Sequence, residues 1–282
     1  MKEAVLAQMS TYRLKEIRER DATPEVGALY ADIRRCMRLP LVNLIYRHLA
    51  TLPGALPEVW TLVRTMILSG QLEPALNRLE RELPVLELDD FGAAVVAEAE
   101  CDDRRSIMCI LQAYNRGNGL NLIALAAVRR LARNCTSDLV RLSQDPPSYE
   151  GTPLPALVRI DDLDAKSFRK VTSIALLHGG GPGVVPSLYL HLANWPNALS
   201  AACDSLTPRL KDGSVDRYRK VAVELAEAEA ERILADLAII GSGPQIPEPA
   251  LTALERFVVH VIPEMLPIGI ALKVSLVPKR SS

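Results

Sequence analysis

The chain has 282 residues, more than the usual ~100–200 of a single core, so one large unit or two smaller ones are open. Apolar residues make up 49% and charged residues 24%, and the net charge of −1 leaves no basic excess for binding a nucleic acid. Aromatics are only 4%, too few for base-stacking platforms or a β-sandwich core, so Leu, Ala, Val and Ile must fill a helical interior.

The N-terminal stretch, residues 1–22, reads as a helical extension; its apolar run Ala4–Ala7 is too short for a signal-peptide core. From Pro24 to Met37, the residues Val26, Leu29, Tyr30, Ile33 and Met37 recur at the spacing of one buried helix face. Asp102 and Asp103 supply the negative charge that favours a helix start, ahead of the apolar positions Ile107, Ile110, Leu111 and Tyr114. The segment Asp145–Pro155 carries four prolines and breaks the chain near its middle. At most Leu157–Ile160 has the character of a short extended piece. His178 precedes a glycine-rich stretch, Gly179 to Gly183, which lacks a Walker pattern and reads either as a mobile, anion-cradling loop or as a flexible inter-helix connection. Ser214 opens a long polar helix to about Leu237, with Arg217, Lys220, Glu224, Glu227, Glu231 and Arg232 on what reads as a solvated face. The longest apolar region, Phe257–Val277, is interrupted by His260, Glu264, Lys273 and two prolines, and reads as a kinked core helix and not a membrane span. Five cysteines, Cys36, Cys101, Cys109, Cys135 and Cys203, include no C-x-x-C pair; they suggest thiols in a reducing, cytoplasmic compartment and neither a disulfide framework nor a zinc site.

The central proline segment prompts a search for duplication, and one is found. Tyr46–Leu56 aligns with Tyr189–Leu199 at an offset of 143, with seven of eleven positions identical. A weaker echo relates Ile123–Val128 to Ile268–Lys273 at an offset of 145. The expected organisation is an extension (1–22), a first helical repeat (23–144), a Pro-rich linker (145–160), a second repeat (161–276) and a tail (277–282). Two such all-α units are expected to face each other as a pseudo-dimer, with a ligand pocket at the seam.

Three stretches carry a resemblance to a known family: Tyr30–Arg34 with Arg38-Leu39-Pro40 and Leu49–Gly54; Ala113–Asn118; and Gly181-Pro182 through Leu192–Pro196. In these the chain resembles the group I 2-haloacid dehalogenases, which are all-helical, internally duplicated and act on both enantiomers. The helical units are more distantly similar to the alkylhydroperoxidase D-like fold, whose redox C-x-x-C is missing here. The resemblance implies hydrolysis of a small organic acid without a cofactor or metal. An aspartate activates water, the water attacks C2, and halide leaves with inversion. The water-holding asparagine falls on Asn118 and the serine before the catalytic acid on Ser187. The aspartate itself falls on Leu188, and no Asp or Glu lies between Phe168 and Ala202. Aromatics of the family pocket fall on Leu41 and Leu44, and its C-terminal tyrosine falls near His260. Tyr114, within the Ala113–Asn118 match, is expected to line the pocket.

These residues leave alternatives open. Asn118 either positions water or caps a turn beside Gly117 and Gly119. His48 and His191 recur at matched positions, as a symmetry-related pair or as a repeated packing contact. His260 and Glu264, four apart, share a helix face and form either a dyad replacing the missing base or a core histidine beside a helix-end glutamate. The expected function is thus a 2-haloacid dehalogenase-like hydrolase with Asn118 and His260 as catalytic candidates. Leu41, Leu44, Tyr114, Ser187, Leu188 and Glu264 are the candidate substrate contacts. The alternatives are a non-catalytic small-molecule binder and an enzyme using substrate-assisted chemistry. The partners expected are a small organic acid or other small molecule and a second copy of the chain, with no nucleic acid and no membrane.

Overall fold

A computed structural model describes residues 14–277 except 89–90, 135–137, 140–144, 147, 182, 238 and 241–243. Residues 1–13, Cys135, Pro147, Pro182 and the tail beyond Val277 therefore lie outside the described residues. The described chain is helical: α1 (Pro24–Met37), α2 (Leu44–Leu49), α3 (Ala55–Leu68), α4 (Leu72–Glu82), α5 (Phe91–Glu98), α6 (Cys101–Asn134), α7 (Ala165–Ala175), α8 (Ser187–Leu192), α9 (Pro196–Lys211), α10 (Ser214–Asp236), α11 (Glu248–Arg256) and α12 (Ile262–Ser275). A π-helical turn, Phe257–Val261, joins the last two. The extended structure among the described residues is one antiparallel pair of two-residue strands, β1 (Asp138–Leu139) and β2 (Ile239–Ile240).

Local chemistry explains the helix ends. Thr23 Oγ accepts the Val26 N–H at 3.4 Å, and Pro24 occupies the first helical position, where its missing N–H costs nothing. The helix α1 stops at Arg38, whose φ of 52° is left-handed and whose N–H returns to Arg34 and Arg35 carbonyls. Asp164 caps α7 by accepting the Lys166 and Ser167 N–H groups at 2.8 and 3.0 Å.

The organising element is α6, 34 residues long and thus about 51 Å. Its middle is buried on every side from Asn121 to Arg129, the signature of a helix at the centre of the fold. Helices α4, α10 and α12 pack along it. The stretch Glu248–Ser275 is long and apolar enough to cross a membrane, but 72% of its most apolar window is buried inside the fold.

Two expectations change. Of the N-terminal extension, residues 14–18 have no helical turn and Glu19–Asp21 forms a single 3-10 turn. The reason is a strap of backbone bonds, Leu14 N–H to the Gly183 carbonyl at 3.1 Å and Ile17 N–H to the Arg47 carbonyl at 2.9 Å. The polar face of α10 is also only partly solvated. Glu227 pairs with Arg129 and Arg130 of α6, and the buried Glu229 is held by Arg78 of α4 at 2.7 Å and by Arg232. Those arginines hold the Glu229 carboxyl below its ordinary range against the opposing effect of burial, the largest single influence on it.

Candidate functional site

The central cavity has a volume of about 40 Å³. A buried water needs about 10–15 Å³, so the space suits a few waters or a ligand of a few heavy atoms. Four segments line it. The entry to α2 gives Asn43, Leu44 and Ile45, and the entry to α8 gives Pro186, Ser187 and Leu188. These two triplets are related by the same offset of 143 that relates the repeated blocks. The helix α6 gives Tyr114, Asn118 and Asn121, spaced so that one face carries all three. The π turn and α12 give Phe257, Val261, Ile262 and Met265.

The cavity thus brings together Asn118, Leu44, Tyr114, Ser187 and Leu188. Three candidates lie elsewhere. Leu41 is 6% exposed within the hydrophobic core and does not line the cavity. His260 is half-buried on the π turn, away from the lining. Glu264 turns to another histidine. Its Oε2 sits 3.0 Å from His178 Nδ1, out of line for a hydrogen bond, and its two oxygens accept the Gly179 N–H at 3.3 and 3.1 Å. The His260–Glu264 dyad is therefore replaced by a His178–Glu264 contact. An i, i+4 pair shares a face only in a regular α-helix, and the π turn inserts a wider turn at His260. His178 and Glu264 border a separate void of about 10 Å³ with Val184, Pro186 and Val261.

A buried polar chain backs the cavity wall. Arg47 donates from Nε to Glu16 at 2.7 Å, from Nη1 to the Val42 carbonyl, and from Nη2 to Ser187 Oγ at 2.9 Å. The Tyr114 hydroxyl meets His191 Nδ1 at 2.8 Å. His191 Nε2 donates to the Pro155 carbonyl of the linker at 3.0 Å. Nδ1 is then the acceptor, so Tyr114 donates to it. Burial, with Arg47 nearby, lowers the His191 pKa to about 4 despite its carbonyl partner, so the imidazole is neutral at pH 7. Burial also raises the Tyr114 hydroxyl above its ordinary range and keeps it protonated.

Sequence reasoning missed Arg47, Asn43, Asn121, Phe257 and Met265 as site residues. Arg47 had a signal: it stands where the second copy has the buried Leu190, which marks the position as interior. Asn121 had one too, three residues beyond Asn118 on the same helix face. Asn43 had none, because its place depends on α6. A Cβ at Gly117 would lie 2.8–2.9 Å from the Asn43 amide, so glycine is what admits that side chain.

No carboxylate, histidine, lysine or arginine is among the lining residues of the central cavity. Among the described residues, no group of three or more His, Cys, Asp or Glu is placed to hold a metal ion.

Comparison with known proteins gives a consistent picture. No family model matches the chain. A configuration-inverting 2-haloacid dehalogenase from Alcaligenes xylosoxydans xylosoxydans is 26% identical over 207 residues, 68% of this chain and 67% of that protein. A solved D-2-haloacid dehalogenase mutant in complex with D-2-CPA superposes with a TM-score of 0.70 at 14% identity, covering 94% of this chain and 96% of that one. A second D-2-haloacid dehalogenase mutant gives a TM-score of 0.67 at 17% identity, with 93% and 94% covered. The protein has the all-helical fold of these D-2-haloacid dehalogenases, and its sequence is similar to that of an inverting 2-haloacid dehalogenase.

Proposed function

We propose that this protein is a 2-haloacid dehalogenase-like hydrolase that takes a short organic acid or a close derivative in the cavity between the α2 and α8 entries. The observation that carries the reading is the lining itself: Asn118, Tyr114, Ser187 and Leu188, chosen from a sequence resemblance, meet around one cavity. The two repeats then form the halves of a pseudo-dimer with the cavity at its seam. In the reaction the resemblance implies, the water oxygen bonds to C2, the carbon–halogen bond breaks and halide departs with the electron pair; the lining residues include no carboxylate or imidazole, so the water proton would pass to a solvent water. Asn118 would hold the water, and the apolar wall would exclude bulk solvent. The protein is read as cytoplasmic, with a homodimer as its expected assembly.

A second reading has an observation of its own in favour. Leu188 stands where the resemblance puts the water-activating aspartate, and the lining residues include no carboxylate. Loss of a general base typically costs on the order of 10²–10⁴ in rate. A relative that binds its ligand without turnover fits this lining. The test is chloride release from D- and L-2-chloropropionate by the purified full chain, alongside a thermal shift with each acid. Turnover supports the hydrolase; a shift without chloride release supports the binder. Neither signal removes both readings for this acid.

A further inference from the structure

Two helix pairs, α1 with α3 and α7 with α9, pack side by side in the two halves of the chain, and their seams are filled differently. In the first pair Asp32 of α1 accepts from Trp60 Nε1 at 2.9 Å and from Arg64 Nε at 3.0 Å, both on α3. Arg35 of α1 reaches its other oxygen at 2.9 Å. The indole of Trp60 is buried in that seam, and the carboxylate of Asp32 is the anion that its arginines meet. The seam is closed by its own side chains.

At the offset of 143 that relates Tyr46–Leu56 to Tyr189–Leu199, Trp60 matches Cys203 and Arg64 matches Thr207 of α9. A thiol stands in place of an indole, and a short hydroxyl in place of a guanidinium. At these smaller side chains lies an open cleft of about 430 Å³, lined by Lys166, Arg169 and Lys170 of α7 and by Cys203, Asp204 and Thr207 of α9. It shares no residue with the central cavity. Three cations face one carboxylate, a formal excess of two positive charges. Asp204 is engaged by Lys170. Lys166 and Arg169 are exposed and have no ion-pair partner among the described residues. Like charges three and four residues apart on one helix face repel, and a bound anion relieves that repulsion.

We propose that the cleft between α7 and α9 binds a small organic phosphate monoester. The Arg169 guanidinium presents a fork that matches two phosphate oxygens, and Lys166 adds a point charge beside it. A dianion balances the excess of two positive charges. A space of this size suits a small organic molecule and is larger than an inorganic ion needs. Asp204 works against the ligand, both by its own charge and by drawing Lys170 to itself.

The experiment titrates phenyl phosphate into the purified full chain and follows its ring protons by saturation-transfer NMR. Phenyl phosphate is expected to bind, and benzoate, a monoanion on the same ring, to bind at least about fivefold more weakly. Arg169→Ala is expected to weaken phenyl phosphate about tenfold. Arg105→Ala removes the same charge from an exposed position on α6 and is expected to leave the affinity unchanged. Asp204→Asn is expected to tighten binding about threefold, a gain that a poorly folded variant cannot produce. Circular dichroism melting checks that each variant is folded. Absence of phenyl phosphate binding, equal losses in Arg169→Ala and Arg105→Ala, or weaker binding by Asp204→Asn overturns the proposal. Sedimentation with vesicles containing phosphatidic acid, in place of phenyl phosphate binding, overturns it too and assigns the cations to a lipid surface. None of these outcomes bears on chloride release, because the cleft and the central cavity have separate linings.

Discussion

The two matching sequence blocks, Tyr46–Leu56 and Tyr189–Leu199, place the same tyrosine and histidine at the same local positions, and the surroundings give them different work. In the first copy the Tyr46 hydroxyl donates to Asn121 of α6; in the second, Tyr189 meets His178 Nε2 at 2.9 Å. His48 is half-buried, bonded through Nδ1 to the Lys15 carbonyl and stacked on Phe257 at 6.2 Å. His191 is 5% exposed and bridges Tyr114 to the linker. The repeated residues fix how each short helix enters and leaves its corner. The partners that decide chemistry come from α6, the connection after α7, the π turn, the N-terminal strap and the linker, none of which lies within the repeated block.

That asymmetry is best broken by putting the same change in both copies. Leu188→Asp and Ile45→Asp introduce a carboxylate at matched positions of the cavity wall. Leu188→Asp is expected to raise chloride release from 2-chloropropionate by on the order of 10² or more, and Ile45→Asp to leave it at background. Ion chromatography over a time course decides; equal rates from the two variants would dissolve the distinction between the copies.

The histidines give the next largest difference. The folded-state pKa of His191 lies near 4, below the ordinary value of 6.5. The unfolded chain therefore binds the proton first, and stability falls as pH drops from about 6.5 toward 4, with on the order of 3 kcal/mol lost across that window. The His48 pKa is also lowered by burial, but that group is half-exposed and contributes less. Urea unfolding from pH 4 to 7 is expected to show a slope that His191→Gln flattens and His48→Gln barely changes. An unchanged slope in His191→Gln assigns the effect to other groups.

The tyrosines follow. Tyr189→Phe leaves His178 Nε2 without its partner, and Tyr46→Phe does the same to Asn121 Oδ1; each is expected to cost about 1–3 kcal/mol in chemical denaturation. They part in ligand binding. Only Tyr46→Phe frees the side chain of Asn121, which lines the cavity, so only it is expected to change the affinity for a ligand there in titration. The smallest effect is expected for His48→Gln, below about 1 kcal/mol at pH 7, measured by the same urea curves.

Much of the architecture was legible in the sequence because it rests on local signals. The 3–4 spacing and Thr23-Pro24 entry define α1 over Pro24–Met37, the Asp102–Asp103 start lies in the first turn of α6, and Ser214 opens α10. The cavity was partly legible, through Asn118, Ser187 and Leu188. What was not legible depends on distant partners. Arg47 is buried because Glu16 from the strap and Ser187, 140 residues away, accept its donors. Glu264 faces His178 across 86 residues, while His260, only four away, is carried off by the π turn. Leu41 packs into the core because its side chain leaves the chain before the α2 entry that reaches the cavity. Periodicity assumes a uniform helix and contains no information about such junctions.

The π turn at Phe257–Val261 has a bearing on how this chain tolerates change. There the Ile262 N–H reaches back five residues, to the Phe257 carbonyl. One residue more than an α-helix needs is accommodated in that turn. Deleting a single residue from it would leave a regular α-helix with α11 and α12 still in phase, and would rotate side chains of the turn itself by up to about 100°. Phe257 would leave the cavity wall, and with it the ring that stacks on His48. A stretch of five hydrophobic or histidine residues, each replaceable by something of similar size, is therefore intolerant of losing even one. Its length is under tighter physical constraint than its composition.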